Sequence, residues 1–213
     1  MIKLFQIPGS SSFAAHSALE EAGAEYELVL VDRKDRTDAA FRDVTPAGLV
    51  PALRAGDVKL YETGAILLWV ADTFLEARLA PPVGMPERAD LYRWIVWTAG
   101  TLHPALHGFF LPRHFTDDET AYDGVRRRSL HAFGRCGEYL ERELAGREWC
   151  AGDAYSVADI YVYMLTGWSS YLPEGEEFGG DAVAAHFARV GDRPAVARVR
   201  EAENLDERLR RRG

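Results

Sequence analysis

The chain has 213 residues, 47% apolar and 27% charged, with a formal net charge of −8. That length holds one large domain or two modest ones around a sizeable core, and the acidic balance argues against a nucleic-acid scaffold, which needs a concentrated positive field. The apolar start breaks at Pro8-Gly9, too early for a signal peptide; no later run has the length of a membrane span, and Cys136 and Cys150 fit neither a disulfide framework nor a zinc-site spacing. A soluble, cytoplasmic protein is expected.

Ile2 to Ile7 reads as a short strand closed by Pro8-Gly9. Ser10-Ser11-Ser12 then offers N-caps for a helix carrying Phe13, Ala14, Ser17, Ala18 and Glu21 at helical spacing, with Gly23 as its stop. Tyr26 to Val31 is a second strand, apolar apart from Glu27, as expected of one covered on both faces. Strand, helix and strand in this span make a βαβ unit with a parallel pair. Residues 33–44 are charged, with at most a short helix near Ala39 to Asp43. Val50-Pro51 opens a strand that turns at Ala55-Gly56-Asp57 and returns over Val58 to Tyr61. Pro51 has no N–H, so it belongs at the start or edge of a strand, leaving the Val50 backbone free to pair outside the sheet. Glu62-Thr63 falls where the helix Gly64 to Leu75 begins, and offers a hydroxyl, backbone N–H groups and a dipole's positive end. A peptide with a free carboxylate would satisfy both features.

After the Pro/Gly-rich stretch at 79–84 no strand pattern recurs. Pro86 starts a long periodic stretch through Phe110, and Asp117 to Ala145 is a second amphipathic helix. Ser156-x-x-Asp159 is a capping box opening the apolar helix Ile160 to Tyr171, a structural pair whose loss costs on the order of 1 kcal/mol. Two shorter helices finish the chain, Pro194 lying early in the last.

This order and its motifs resemble the cytosolic glutathione S-transferase family. The family's Asn-Pro-x-Gly-x-Val-Pro-x-Leu is matched by Thr45-Pro46-Ala47-Gly48-Leu49-Val50-Pro51-Ala52-Leu53, and its Glu-Ser followed by Ala-Ile by Glu62-Thr63-Gly64-Ala65-Ile66. The start is similar to the bacterial beta-class opening, with Ser11 where that class has cysteine. The resemblance implies a thioredoxin-like α/β domain over residues 1–77, a linker over 78–86 and an all-α domain over 87–213. It implies glutathione as co-substrate, a homodimer, and an acceptor site for a hydrophobic electrophile between the domains.

By the resemblance, the Val50-Pro51 bond is cis and Val50 pairs its backbone with the cysteinyl part of glutathione, a miniature strand addition. Thr63 holds the γ-glutamyl carboxylate and Glu62 faces its ammonium, whereas the plainer reading makes the pair a helix cap. Lys34 is a weak candidate for the glycine carboxylate. A hydroxyl at a helix N-terminus stabilises a thiolate, and Ser11 is placed there first, with Ser10 and Ser12 as alternatives; the three also read as turn and cap residues. His103 and His107 have a spacing that could hold a metal, but Pro104 lies between them and the chemistry needs none, so no metal is expected. His103 resembles a histidine facing the active site in the bacterial class, against a plainer reading as a satisfied core or surface residue. Most of Tyr92, Trp94, Trp97, Phe109, Phe110 and Phe115 should be core, with one or two lining an acceptor pocket. Arg126-Arg127-Arg128 and Arg208 to Arg212 read as solvated faces or a frayed end. The function expected is glutathione transfer. The alternatives are isomerisation, dehalogenation, ether cleavage or thiol-disulfide reduction with the same cofactor, or a non-catalytic binding module.

Overall fold

The computed structural model describes residues 1–32, 38–173 and 177–205. Four strands, β1 (Ile2–Gln6), β2 (Tyr26–Leu30), β3 (Ala52–Ala55) and β4 (Val58–Tyr61), form one sheet in the order β2-β1-β3-β4. β1 and β2 are parallel; the other pairs are antiparallel. Residues alternate across a strand, so Ile2, Leu4 and Gln6 of β1 turn inward together, onto the side packed by α1 (Ser12–Glu21) and α3 (Thr63–Thr73). Phe5 turns the other way and meets Phe41 of α2 (Ala39–Val44) at 5.6 Å between ring centroids. In the hairpin Ala55 pairs with Val58 and Gly56 has φ +59°, a turn geometry glycine adopts without a Cβ clash.

β2 departs from the reading of its sequence. It is an edge strand, with Leu28 37% and Leu30 68% exposed, because it pairs with β1 alone and its apolar run does not reveal which neighbours it has. Pro51, in contrast, sits just before β3, so this central strand loses no ladder donor to it.

Six α-helices follow among the described residues: α4 (Pro86–Trp97), α5 (His103–Phe110), α6 (Tyr122–Leu144), α7 (Val157–Gly167), α8 (Asp181–Gly191) and α9 (Pro194–Ala202). Residues 79–85 are not loose: Leu79 is buried and its carbonyl accepts the Val157 N–H at 2.9 Å. The single periodic stretch expected from Pro86 to Phe110 is divided by a π-helical turn, Thr98–Leu102, just before Pro104. Proline cannot return an N–H to the preceding turn and its ring crowds that turn's carbonyl; a widened turn relieves both. α7 is buried from Val157 through Thr166 and forms the centre of the helical half. Its Ser156 Oγ accepts from the Ala158 N–H while Asp159 accepts from the Ser156 N–H at 2.8 Å, the expected capping box. Among the described residues no helix is long and apolar enough to cross a membrane.

The aromatic residues after Pro86 are less buried than their spacing suggests. Only Trp94 is fully enclosed; Trp97 and Phe109 are half-buried, and Tyr92, Phe110 and Phe115 are exposed. Helical periodicity identifies a face but not how far the neighbouring helices cover it.

Candidate functional site

The serines that follow β1 have distinct roles. Ser12, fully buried, donates its hydroxyl to the Ile7 carbonyl at 3.0 Å and accepts the Ile7 N–H at 3.2 Å. With that proton committed, Ser10 is the donor in the 2.9 Å contact between the Ser10 and Ser12 hydroxyls, while Ser10 Oγ accepts the Ser12 N–H. These two stitch the loop to itself. Ser11, at the N-cap position of α1, makes no side-chain cap; its Oγ reaches out and donates to the Val50 carbonyl at 3.0 Å. The Val50-Pro51 bond is cis. The first helix start and the turn before β3 are thereby joined by one hydroxyl, which keeps its lone pairs.

The loop is also held from the far end of the chain. Glu203, just past α9 and buried, accepts the Gly9 N–H at 2.8 Å through Oε2 and the His16 Nδ1–H at 2.9 Å through Oε1. A carboxylate is acceptor-only, which places the imidazole proton on Nδ1. Nothing local in the sequence marks Glu203; the one available signal was His16, in the His-x-Ala-Leu stretch of the opening.

The second helix start is strained. Glu62 has φ 73° and ψ 122°, a region non-glycine residues seldom occupy and one found at ligand clamps. It occupies the N-cap position of α3 without a side-chain cap bond, and Thr63 is the first helical residue, so the helix-cap reading of this pair does not hold. Glu62 is exposed while Thr63 is buried. The start of this helix is packed tightly on the other half: a Cβ at Gly64 would lie 2.9 Å from Ile95 Cγ2 of α4.

Tyr161 of α7 lies beside this helix start, its Cε1 3.9 Å from where a Cβ at Gly64 would be. Its hydroxyl is 3.3 Å from His103 Nδ1, and His103 meets the edge of Trp168 with centroids 5.3 Å apart. Phe110 packs edge-on against both Trp168 and Tyr171, giving a partly exposed aromatic wall beside His103. Burial, with repulsion from His107, pushes the His103 pKa down to about 4, so the ring is neutral at physiological pH. Burial also raises the Tyr161 phenol well above its usual range. His103 does not pair with His107, whose Nε2 lies 3.0 Å from His114 Nδ1. Tyr161 and Trp168 were not singled out from the sequence, where they are two more aromatic residues in an apolar helix.

Among the described residues three ligand-type atoms gather in one other place, at Cys150, Asp159 and His186, all buried. Asp159 Oδ1 accepts the Cys150 N–H and the His186 Nε2–H, both at 2.8 Å, and Oδ2 accepts from Ser156 N and Oγ in the capping box, so both carboxylate oxygens are already engaged. Burial beside that carboxylate keeps the Cys150 thiol protonated. A polar surface hollow of about 590 Å³ is lined by Glu87, Asp90, Arg147 and Asp153 and includes none of the residues around Ser11, Thr63 and His103. Lys34, like Arg208 to Arg212, lies outside the described residues.

Comparison with known proteins bears directly on this arrangement. Residues 1–72 match the family model "Glutathione S-transferase, N-terminal domain" and residues 98–194 match "Glutathione S-transferase, C-terminal domain". The glutathione S-transferase GstA of Escherichia coli O157:H7 is 31% identical over 96% of this chain and 100% of its own. The disulfide-bond oxidoreductase YghU of Escherichia coli K12 is 29% identical over 86% of this chain and 66% of its own. A sphingomonad glutathione S-transferase solved with glutathione superposes with a TM-score of 0.82 at 35% identity, covering 95% of this chain and 99% of that one. The thioredoxin-like half and the all-helical half are thus both matched by full-length relatives, and the chain belongs to the glutathione S-transferase family.

Proposed function

We propose that the chain is a cytoplasmic glutathione transferase that joins the glutathione thiolate to hydrophobic electrophiles, with residues 1–77 holding glutathione, 78–86 linking, and 87–213 supplying the acceptor side. The observation that carries this reading is the Ser11 hydroxyl, donated to the Val50 carbonyl beside the cis-proline. In the complex the cysteinyl backbone of glutathione pairs with the Val50 main chain, and the Ser11 hydroxyl turns from the Val50 carbonyl to the sulfur. There it stabilises the anion together with the N-terminal dipole of α1. The first-turn N–H groups at Thr63 receive the γ-glutamyl carboxylate and Glu62 faces the ammonium; Lys34 is kept as a candidate for the glycine carboxylate. The sulfur lone pair then forms a bond to the electrophilic carbon as the leaving group departs with its electrons. The protein lowers the thiol pKa and aligns the reactants against the wall of Phe110 and Trp168, with no step assigned to a metal.

A GstA-type relative and a sphingomonad transferase with bound glutathione support this reading; relatives named as disulfide-bond oxidoreductases support a second one, thiol-disulfide reduction at the same site. The test is Ser11→Ala, with bound-thiolate absorbance followed against pH and turnover measured on an aryl halide and on a small disulfide. The expected result is an ionisation raised by about one pH unit, the worth of one hydrogen bond to an anion, with glutathione affinity nearly unchanged. Unchanged ionisation and turnover in Ser11→Ala, with a shift in Ser10→Ala or Ser12→Ala, refutes the assignment. Turnover of the disulfide alone selects the second reading. A homodimer is part of the proposal: Tyr92 and Val96 lie one turn apart on the exposed face of α4, opposite the buried Leu91, Trp94 and Ile95.

A further inference from the structure

The fold pairs histidines differently from the spacing of His103 and His107. His103 Nδ1 lies 3.3 Å from the Tyr161 hydroxyl, while His107 meets His114, seven positions on, with Nε2 and Nδ1 3.0 Å apart. The chain comes back to the end of α5 through a closed turn. The Leu111 N–H donates to the His107 carbonyl at 2.8 Å, the His114 N–H donates to the Leu111 carbonyl at 3.0 Å, and Pro112 between them is buried. Phe115 follows and sets its edge against the His107 ring, with centroids 5.5 Å apart. Both histidines are exposed. Partial burial, with repulsion from His114, holds the His107 pKa below its usual value, so this ring is uncharged at neutral pH.

We propose that His107 Nε2 and His114 Nδ1 form a two-histidine site for a divalent transition-metal ion of the copper and nickel kind, separate from the thiol chemistry. Neutral imidazole is a favoured ligand of such ions. Metal–imidazole bonds of about 2.0–2.1 Å that end on nitrogens 3.0 Å apart enclose an angle of about 90–100° at the ion. That is near the right angle of tetragonal copper(II) and nickel(II), whereas a tetrahedral zinc angle would need nitrogens about 3.3 Å apart. In the free chain one ring donates its N–H to the other. When the ion enters, that proton leaves to water and water protonates the outer nitrogen of the same ring, so each imidazole stays neutral and no net proton is released. Because both rings are exposed, they can turn toward the ion, and water fills its remaining positions. The turn is already closed, so the second ligand is in place without ordering a loop. A bound ion ties the turn at Pro112–His114 to α5, the helix that also carries His103 and Phe110, and stabilises the folded chain by mass action.

The experiment is titration of the full chain, free of glutathione and its competing thiol, with copper(II) followed by electron paramagnetic resonance, and with nickel(II) and zinc(II) followed by calorimetry. The expected result is a single saturable copper(II) site whose spectrum carries two imidazole nitrogens, and nickel(II) bound by the same pair. His107→Ala and His114→Ala change exposed side chains and should leave the chain folded. Each should weaken copper(II) binding by about a hundredfold, the lower end of what a second attachment to one ion contributes. His131→Ala, which removes another exposed histidine, should leave binding as it was. Copper(II) affinity unchanged in either of the first two variants, a spectrum with one imidazole nitrogen, zinc(II) held more tightly than copper(II), or no saturable binding at all would each overturn the proposal.

Discussion

Glu203 gives the most demanding test of how the site is held together. Its carboxylate is buried and takes the Gly9 N–H at 2.8 Å and the His16 Nδ1–H at 2.9 Å, joining the end of α9 to the loop that carries Ser11. Glu203→Ala leaves the buried His16 donor and the half-buried Gly9 donor without this acceptor, at about 1–3 kcal/mol each, so a loss of about 3–4 kcal/mol is expected. Glu203→Gln keeps the volume and one acceptor but turns an NH₂ toward the other donor, and should cost about half as much. Native stabilities are about 5–15 kcal/mol, so the alanine variant should remain folded, with Tm lowered by roughly 6–15 °C for a chain of this size. Urea titration at fixed protein concentration measures this as a lower midpoint with unchanged slope, and hydrogen exchange at the Gly9 amide reports the same opening locally. A loss below about 1 kcal/mol in Glu203→Ala, with Gly9 exchange unchanged, would refute the clasp.

Two further outcomes can be stated. Burial holds His103 at about 4 against 6.5 in the unfolded chain, so between these values the unfolded state binds more protons and stability falls as the pH is lowered. From pH 7 to 4 the wild type should lose about 3 kcal/mol more than His103→Asn; equal losses in urea titrations at the two pH values would contradict the assigned burial. For the homodimer, Val96→Glu should leave monomer stability within about 0.5 kcal/mol, since Val96 is 69% exposed, yet raise the dissociation constant more than about a hundredfold by burying a charge at the interface. Light scattering across concentration checks it, and an unaltered dimer would move the interface elsewhere.

What was legible in the sequence is what local chemistry writes into it. Pro51 and the Gly56 turn define a hairpin, Ser156 and Asp159 a capping box, and the three serines a helix start, because each signal lies within a few residues of its effect. The errors share a cause. The apolar run of β2 was assigned cover on both faces, and the aromatic residues after Pro86 a place in the core, from composition that does not specify what packs alongside. Pro104 was noted as an obstacle to a metal, while its effect on the helix, a π-turn just ahead of His103, depends on how the chain relieves a missing donor.

The same distinction divides the candidate site. Its α/β half is made of helix starts and a turn, where sequence dictates backbone, so Ser11, Val50 and Thr63 could be named in advance. Its other half is made of helix faces, where a residue matters for what it meets. Glu203 lies 194 positions from Gly9, and Tyr161 58 from His103. What singles them out is burial of polar groups: a buried carboxylate or phenol is tolerated only where partners satisfy it, so each such group marks a place where the fold has committed both sides of a contact. Here Glu203 of the helical half holds the loop that carries Ser11, and Tyr161 sits between Gly64 of the α/β half and His103. Two helix starts that are to act together need a second half to keep them in register, and the buried Glu203 and Tyr161 meet them from the helical half.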